Sequence, residues 1–371
     1  MTDPIAYGAT IGILGGGQLG RMLSVAAARL GFKCHIYEPG TQPPAGDVSA
    51  RVTTASYDDI AALTAFAKSV DLITYEFENV PTSALDTLEP LCPIRPGREA
   101  LRISQDRLTE KTFLSELGLG TAPFFTVENI EELQSAITAI GTPSILKTRR
   151  LGYDGKGQFR LRSSIDAESA LKAMSGAPAI LEGFIEFNSE VSVIGARSMT
   201  GQISCYDPGE NVHRNGILHT TKVPARLSPS QRTDAVLIAA KILNGLDYVG
   251  VIGVELFVTN GGLIVNEFAP RVHNSGHWTI EGAVTSQFEN HLRAIAGLPL
   301  GSTAVTGHSA MINFIGSMPD RREVLALANC HLHDYGKSPR PGRKLGHATA
   351  VTATAEARDV ALQALSGLYV N

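Results

Sequence analysis

Short apolar runs alternate with helical stripes and glycine turns through the first part of the chain. The stretch ATIGILGGGQLGRMLSVAAARLGFKCHIYEPG predicts strand, glycine turn, helix and strand, a βαβ unit. Residues Tyr57–Ser69 carry Ile60, Leu63 and Phe66 on one helical stripe. DLITYEFENVP then reads as a buried strand whose carboxyl end bears Glu76, Glu78 and Asn79, the end that lines the ligand crevice in open parallel sheets. Pro93, Pro96 and Gly97 break the alternation, and a new amphipathic helix begins at Gln105-Asp106-Arg107. A first, Rossmann-like α/β unit is therefore expected over residues 1–105.

The pattern then becomes antiparallel. PSILKTRR predicts a strand, LGYDGKGQFRLR a glycine loop and a strand, and APAILEGFIEFNSEVSVIGAR two more strands. One amphipathic helix spans Ser228–Leu246, and TSQFENHLRAIAGLPL gives another. A second α+β unit is expected over 106–300, and a small β-rich unit with strands near HSAMINFIGS and HLHDYGK over 301–371.

Within the second unit, GVIGVELFVT and GLIVNEFAP flank Asn260-Gly261-Gly262, a hairpin signal. A three-residue loop pairs Thr259 with Leu263 and sets Glu255 opposite Glu267, with Cβ atoms roughly 4.5–5.5 Å apart. Like charges so placed repel. Mg²⁺ would relieve the repulsion, since it is held by one or two carboxylates plus substrate phosphates. A solvated face, or a register slip that turns one glutamate outward, fits the same pattern. Arg271, His273, Asn274, Ser275 and His277 follow just past the second strand.

Two glycine loops add anion chemistry. Gly15, Gly17 and Gly20 fit G-x-G-x-x-G, and Glu38 ends the next strand. Alone, this suggests a NAD-binding dehydrogenase. The fingerprint itself establishes only that backbone amides at a helix start can approach an anion, with Gln18 and Arg21 beside them. In the second loop Gly152, Gly155 and Gly157 follow Lys147, Arg149 and Arg150, and Lys156 lies between the last two glycines. It matches neither the Walker loop nor the kinase pattern, but can lay N–H groups over phosphates. A basic turn near the end holds Lys337, Arg340, Arg343 and Lys344.

Composition narrows the class. Hydrophobic residues make up 43% and the net charge is −4, so no basic excess exists to neutralise a nucleic acid. Cys34, Cys92, Cys205 and Cys330 are scattered without metal-binding spacing, as expected for reduced thiols in a cytoplasmic protein. Neither a signal peptide nor an 18-residue apolar run is evident, so no membrane partner is expected.

GGGQLGRML, TYEFENVP, QDRLTEK, KTRRLGYDGKGQ, NEFAPRVHNSGHWT and RPGRKLGHAT occur in that order. Together they resemble the N5-carboxyaminoimidazole ribonucleotide synthase family of the ATP-grasp superfamily, over essentially the whole chain. The resemblance implies a Rossmann-like first domain, an ATP-grasp domain with a flap near 149–160, and a small third domain. It implies a homodimeric ligase of purine biosynthesis. Such an enzyme joins bicarbonate to the amine of 5-aminoimidazole ribonucleotide through carboxyphosphate, with ATP and Mg²⁺. Arg107 and Lys147 would contact the nucleotide, and the loop Gly152, Tyr153, Asp154, Gly155, Lys156, Gly157 and Gln158 would cover its phosphates. Glu182, Gly183, Phe184 and Ile185 would border the adenine, Glu190 would hold the ribose, and His213 would sit nearby. Glu255 and Glu267 would hold Mg²⁺ beside Asn266. Arg271, His273, Asn274 and Lys337 are the candidate catalytic groups, His273 as a proton carrier with a pKa near neutrality. Gln18, Glu76, Tyr153, Asp154, Arg271, Ser275, Lys337, Arg343 and Lys344 are the candidate ribonucleotide contacts.

Overall fold

The computed structural model describes residues 4–152 and 156–369. Tyr153, Asp154 and Gly155 of the expected flap lie outside the described residues. The fold is mixed α/β and α+β, as the sequence pattern predicts.

The first unit is a parallel sheet in the order Arg51–Thr53, Lys33–Tyr37, Thr10–Leu14, Leu72–Tyr75. One face is covered from within the unit: Leu63 and Phe66 of one helix and Leu85 and Leu88 of the next pack on Tyr37 and Tyr75. That helix begins at Ile60, not at Tyr57, because Asp59 caps it by accepting from the Ala62 N–H at 2.9 Å. The other face shares its core with the second unit. Ile11, Ile13 and Leu23 join Trp278, Phe288 and Leu292 in one buried cluster. His291 fastens the two sheets. Its Nδ1 accepts from the Val251 N–H at 3.2 Å, which leaves Nε2–H to donate to the Thr74 hydroxyl at 2.8 Å.

A nine-stranded antiparallel sheet forms the centre, running from Gly262–Ala269 through Gly250–Thr259, Ser189–Arg197, Gly209–Arg214, Ile217–Val223, His308–Ile315 and Lys344–Thr352 to Cys330–Asp334. The short strand Ile203–Cys205 pairs beside Ser189–Arg197. The 301–371 segment therefore has no sheet of its own among the described residues. Its strands extend the central sheet through pairs such as Thr220 with Ile312. It also carries the helix Ala355–Gly367, which the β-rich reading omitted.

Directly paired residues share a face, so register separates the two sides of this sheet. Val191, Val193, Val254 and Leu256 pack beneath the helix Pro229–Gly245. The opposite face carries a polar row, in which Glu267 pairs with Glu255, Glu255 with Ser192, Glu190 with Asn211, and Asn211 with Thr221. A third sheet, ordered Phe124–Val127, Ala179–Gly183, Ser144–Thr148, Gln158–Leu161, is antiparallel and is packed by the helices Ile130–Ile140 and Ala167–Ala173.

Candidate active site

The hairpin that carries Glu255 and Glu267 reaches the expected pairing by a different route. Its loop has two residues, since Thr259 pairs with Gly262 rather than Leu263. Continued regularly, that register sets Glu255 opposite Asn266. A bulge at Glu255/Leu256 absorbs Asn266 as an extra residue and restores Glu255 opposite Glu267. Burial, then the neighbouring Glu267 charge, push the Glu255 carboxyl up to about 7. Two carboxylates forced together in this way suit a divalent cation. Among the described residues no three His, Cys, Asp or Glu side chains form a metal-binding group. A site with two protein carboxylates would leave other positions to phosphate oxygens and water, as Mg²⁺ prefers.

Cations reach these acids from the helix Arg107–Glu116. Arg107 donates to Glu267 Oε2 at 3.1 Å and to the Gly152 carbonyl at 3.4 Å. Lys111 lies 3.3 Å from Glu182 Oε2 and donates to the Asn266 carbonyl at 3.3 Å. Lys147 donates to the same Glu182 oxygen at 2.9 Å. Burial pushes the Glu182 carboxyl up, but Lys147 and then Lys111 hold it below the usual carboxylate range. Glu110 accepts from the Phe268 N–H at 2.7 Å, and burial and Glu267 raise its carboxyl to about 8. Sequence reasoning missed Glu110 and Lys111. Their spacing from Arg107, three and four residues, was the available signal that all three share one helical face.

Of the remaining nucleotide-side candidates, Glu190 and His213 line one space with Glu255 and Asn266. Glu190 contacts His213, whose imidazolium is disfavoured by burial but held above its ordinary pKa by Glu190 and Glu255. Gly183, Phe184 and Ile185 leave the third sheet half-buried, with the Arg160 guanidinium 4.2 Å over the Phe184 ring. Lys156, Gly157 and Gln158 are exposed where the loop returns to the strand Gln158–Leu161. Arg149 and Arg150 are engaged with protein groups. Arg149 grips Asp106 through Nε at 3.1 Å and Nη2 at 2.7 Å, and Arg150 donates to Gln105 Oε1 at 2.9 Å.

On the first-unit side, the glycine turn holds a ligand from its own chain. Glu76 accepts from Gly17 N–H at 2.6 Å and from Gly20 N–H at 3.0 Å. It fills the helix start where a dinucleotide pyrophosphate would bind. A Cβ on Gly17 would meet Glu76 Oε1 at 2.7 Å, so glycine permits this approach. Glu38, at the position where a dinucleotide fingerprint would place its ribose ligand, accepts from Gly16 and Gly40 N–H at 2.8 and 3.0 Å. Lys337 donates to Gln18 Oε1. Lys337, Arg343, Tyr57 and Glu76 line one cleft. Glu78, Gln105, Arg107, Glu267, Arg271 and His273 line its neighbour. The segment Glu76–Asn79 contributes to both walls.

The cluster after the hairpin divides by role. Arg271 contacts Glu78 and donates to the Val272 carbonyl at 3.0 Å. His273 differs from the expected proton carrier, because burial, followed by the Arg271 charge, lowers its pKa to about 3. It is neutral at pH 7. Its Nδ1 accepts from Ser275 N–H at 3.4 Å, which puts the proton on Nε2, 3.7 Å from Glu255 Oε1. Ser275 is buried with its hydroxyl 2.8 Å from His273 Nδ1, so it orients His273. Asn274 is buried, and neither polar atom of its side chain has a partner among the described residues. Lys344 reaches the same region from the third segment, where its charge acts on Glu255, His213 and His273.

Comparison with known proteins fits this layout. Residues 8–105 match the ribonucleotide synthetase preATP-grasp domain, 112–288 the ATP-grasp domain, and 309–360 the phosphoribosylaminoimidazole carboxylase C-terminal domain. N5-carboxyaminoimidazole ribonucleotide synthase of Brucella melitensis is 52% identical, covering 93% of this chain and 96% of that protein. The Thermus thermophilus synthetase structure superposes with a TM-score of 0.94 at 47% identity, covering 97% of this chain and 99% of the other. The Aspergillus clavatus synthase, solved with ADP and 5-aminoimidazole ribonucleotide, has a TM-score of 0.92 at 33% identity, with 98% of each chain covered.

Proposed function

The chain belongs to the N5-carboxyaminoimidazole ribonucleotide synthases of the ATP-grasp superfamily, and we propose how its residues divide the work of that ligase. The activity is the ATP-dependent conversion of 5-aminoimidazole ribonucleotide to its N5-carboxy derivative in purine biosynthesis. Bicarbonate is the carbon source in this proposal.

The observation that carries the reading is the cleft that brings Arg271 and His273 together with Arg107 and Glu267. Nucleotide-side and amine-side groups share one wall there. Arg107, Lys147 and Lys111 surround the Glu182 and Glu267 carboxylates and supply positive charge for a triphosphate. Glu255 and Glu267 would hold Mg²⁺, with Asn266 beside them; when bound, Mg²⁺ would neutralise phosphate charge. Bicarbonate is a poor electrophile. One of its oxygens attacks the γ-phosphorus, ADP leaves, and carboxyphosphate forms. The exocyclic amine attacks the carboxyl carbon, phosphate leaves with the bridging oxygen, and the amine gives up a proton. Transfer of this kind needs positioning and charge neutralisation more than covalent help.

Arg271 offers a planar fork for bicarbonate or carboxyphosphate, held at its angle by Glu78. Neutral His273 presents an Nε2–H donor on the same side. Glu76, Lys337 and Arg343 line the neighbouring cleft and, with Gln18, which Lys337 contacts, take the ribonucleotide, the two cations facing its phosphate. A homodimer and a cytoplasmic location are part of the same proposal, supported by the family resemblance. The dehydrogenase reading loses its main support, because Glu76 and Glu38 occupy the amides that a dinucleotide needs.

ADP release measured with bicarbonate or ribonucleotide omitted in turn tests this. Sustained turnover is expected only with both. Equal turnover without bicarbonate overturns the assignment.

A further inference from the structure

The Arg107–Glu116 helix connects the two halves of the site through its first residues. Toward the nucleotide side, Arg107 and Lys111 touch Glu267, Glu182 and the Asn266 carbonyl. Toward the amine side, the residue before the Asp106 helix cap is Gln105, which is buried. Its Nε2 donates to the carbonyls of Glu78 and Val80 at 2.9 and 2.8 Å. Its Oε1 accepts from Arg150 Nη2 at 2.9 Å. The amide has one satisfactory orientation, since reversing it would set its oxygen against two carbonyl oxygens and its nitrogen against a guanidinium.

These three bonds join separate parts of the site. Glu78 holds Arg271, and the segment that it shares with Glu76 lines both clefts. Arg150 lies at the root of the glycine loop, which Asp106 grips through Arg149 and Arg107 through the carbonyls of Arg149 and Gly152. Two consecutive residues, Gln105 and Asp106, thus clamp two consecutive arginines. Arg150 is an exposed residue, and its bond to a buried glutamine is the step between the loop root and the Glu78 segment.

We propose that Gln105 is a positioning residue that couples the two substrates through Arg150. A nucleotide that settles the loop root and the Arg107 helix also sets the Glu78–Arg271 pair for the ribonucleotide. Linkage requires the reverse as well, so ribonucleotide tightens nucleotide binding. Gln105 lies in the wall of the shared cleft with its amide bonded to protein groups, and the inference rests on the assignment of nucleotide and amine halves made above.

Calorimetry of ADP binding, alone and with saturating 5-aminoimidazole ribonucleotide, tests the coupling. In the unmodified protein the ribonucleotide should tighten ADP by about five-fold or more, the usual lower range for coupled sites. Arg150→Met alters an exposed side chain and spares the fold. Gln105→Met removes the three bonds at similar volume. Each should reduce the coupling to less than about two-fold, and Arg150→Met should leave the Kd for ADP alone within about two-fold of normal. Coupling that persists in Arg150→Met overturns the proposal. So does absence of coupling in the unmodified protein, or loss of ADP affinity that accounts for the whole change. If the unmodified protein fails to bind the ribonucleotide, the functional reading fails and not the coupling alone.

Discussion

Glu255 faces Glu267 across a hairpin whose bulge takes up Asn266, and the pair is held together despite like charge. A bulge at this position aims both carboxylates into one space. Glu255→Gln and Glu267→Gln should each lower turnover roughly 100-fold or more, because a Mg²⁺ ligand loses its charge. Melting temperature should hold or rise in Glu255→Gln, since repulsion is relieved. Phosphate-release assays and thermal melts on the same preparations check both parts. Unchanged turnover in either variant would remove the metal assignment.

Gly17 admits Glu76 to the helix start, and a Cβ there would meet the carboxylate at 2.7 Å. Gly17→Ala and Glu76→Ala should raise KM for the ribonucleotide about ten-fold, about 1.4 kcal/mol of binding. KM for ATP should move less than about two-fold on the same scale. Initial-rate measurements separate these outcomes. NAD should give no heat of binding in calorimetry.

Lys337 provides a pH test. Burial favours its neutral form and lowers its pKa to about 8, opposed by the Glu76 charge. Lys337 is therefore charged below about pH 8 and neutral above it. Attraction for a ribonucleotide phosphate is present on the acid side and lost as pH rises. The profile of kcat/KM for the ribonucleotide should fall above that point, and Lys337→Arg should carry the break to higher pH. A profile that rises through the same range contradicts the role.

Gly157 adopts φ +69°, and a Cβ on it would lie 2.5 Å from Thr148 Oγ1. Gly157→Ala should cost about 1–2 kcal/mol from the left-handed backbone alone. It should also disturb the root of the glycine loop. Thermal melts and ATP KM should both shift; a normal melt with a normal KM would show that another backbone path serves as well.

Much of this site was legible because its chemistry lies in short segments. The Glu255/Glu267 opposition survived an error in loop length, since a one-residue error and a one-residue bulge cancel. The glycine turn was legible as a helix start, but its ligand Glu76 lies 59 residues from Gly17, and local pattern carries no such contact. Glu110 and Lys111 resemble solvated helix charges until the Asn266–Phe268 backbone is placed against them. The neutrality of His273 comes from burial that residue type cannot reveal. The union of the last segment with the central sheet depends on pairs such as Val223 with Ser309, distant in sequence.

The central claim is that ATP activates bicarbonate by phosphorylating it. Turnover with ¹⁸O-labelled bicarbonate, followed by mass analysis of the released phosphate, tests it most directly. Attack by a bicarbonate oxygen on the γ-phosphorus carries one labelled oxygen into each phosphate formed with product. Phosphate that emerges unlabelled while carboxylated ribonucleotide accumulates would contradict the account.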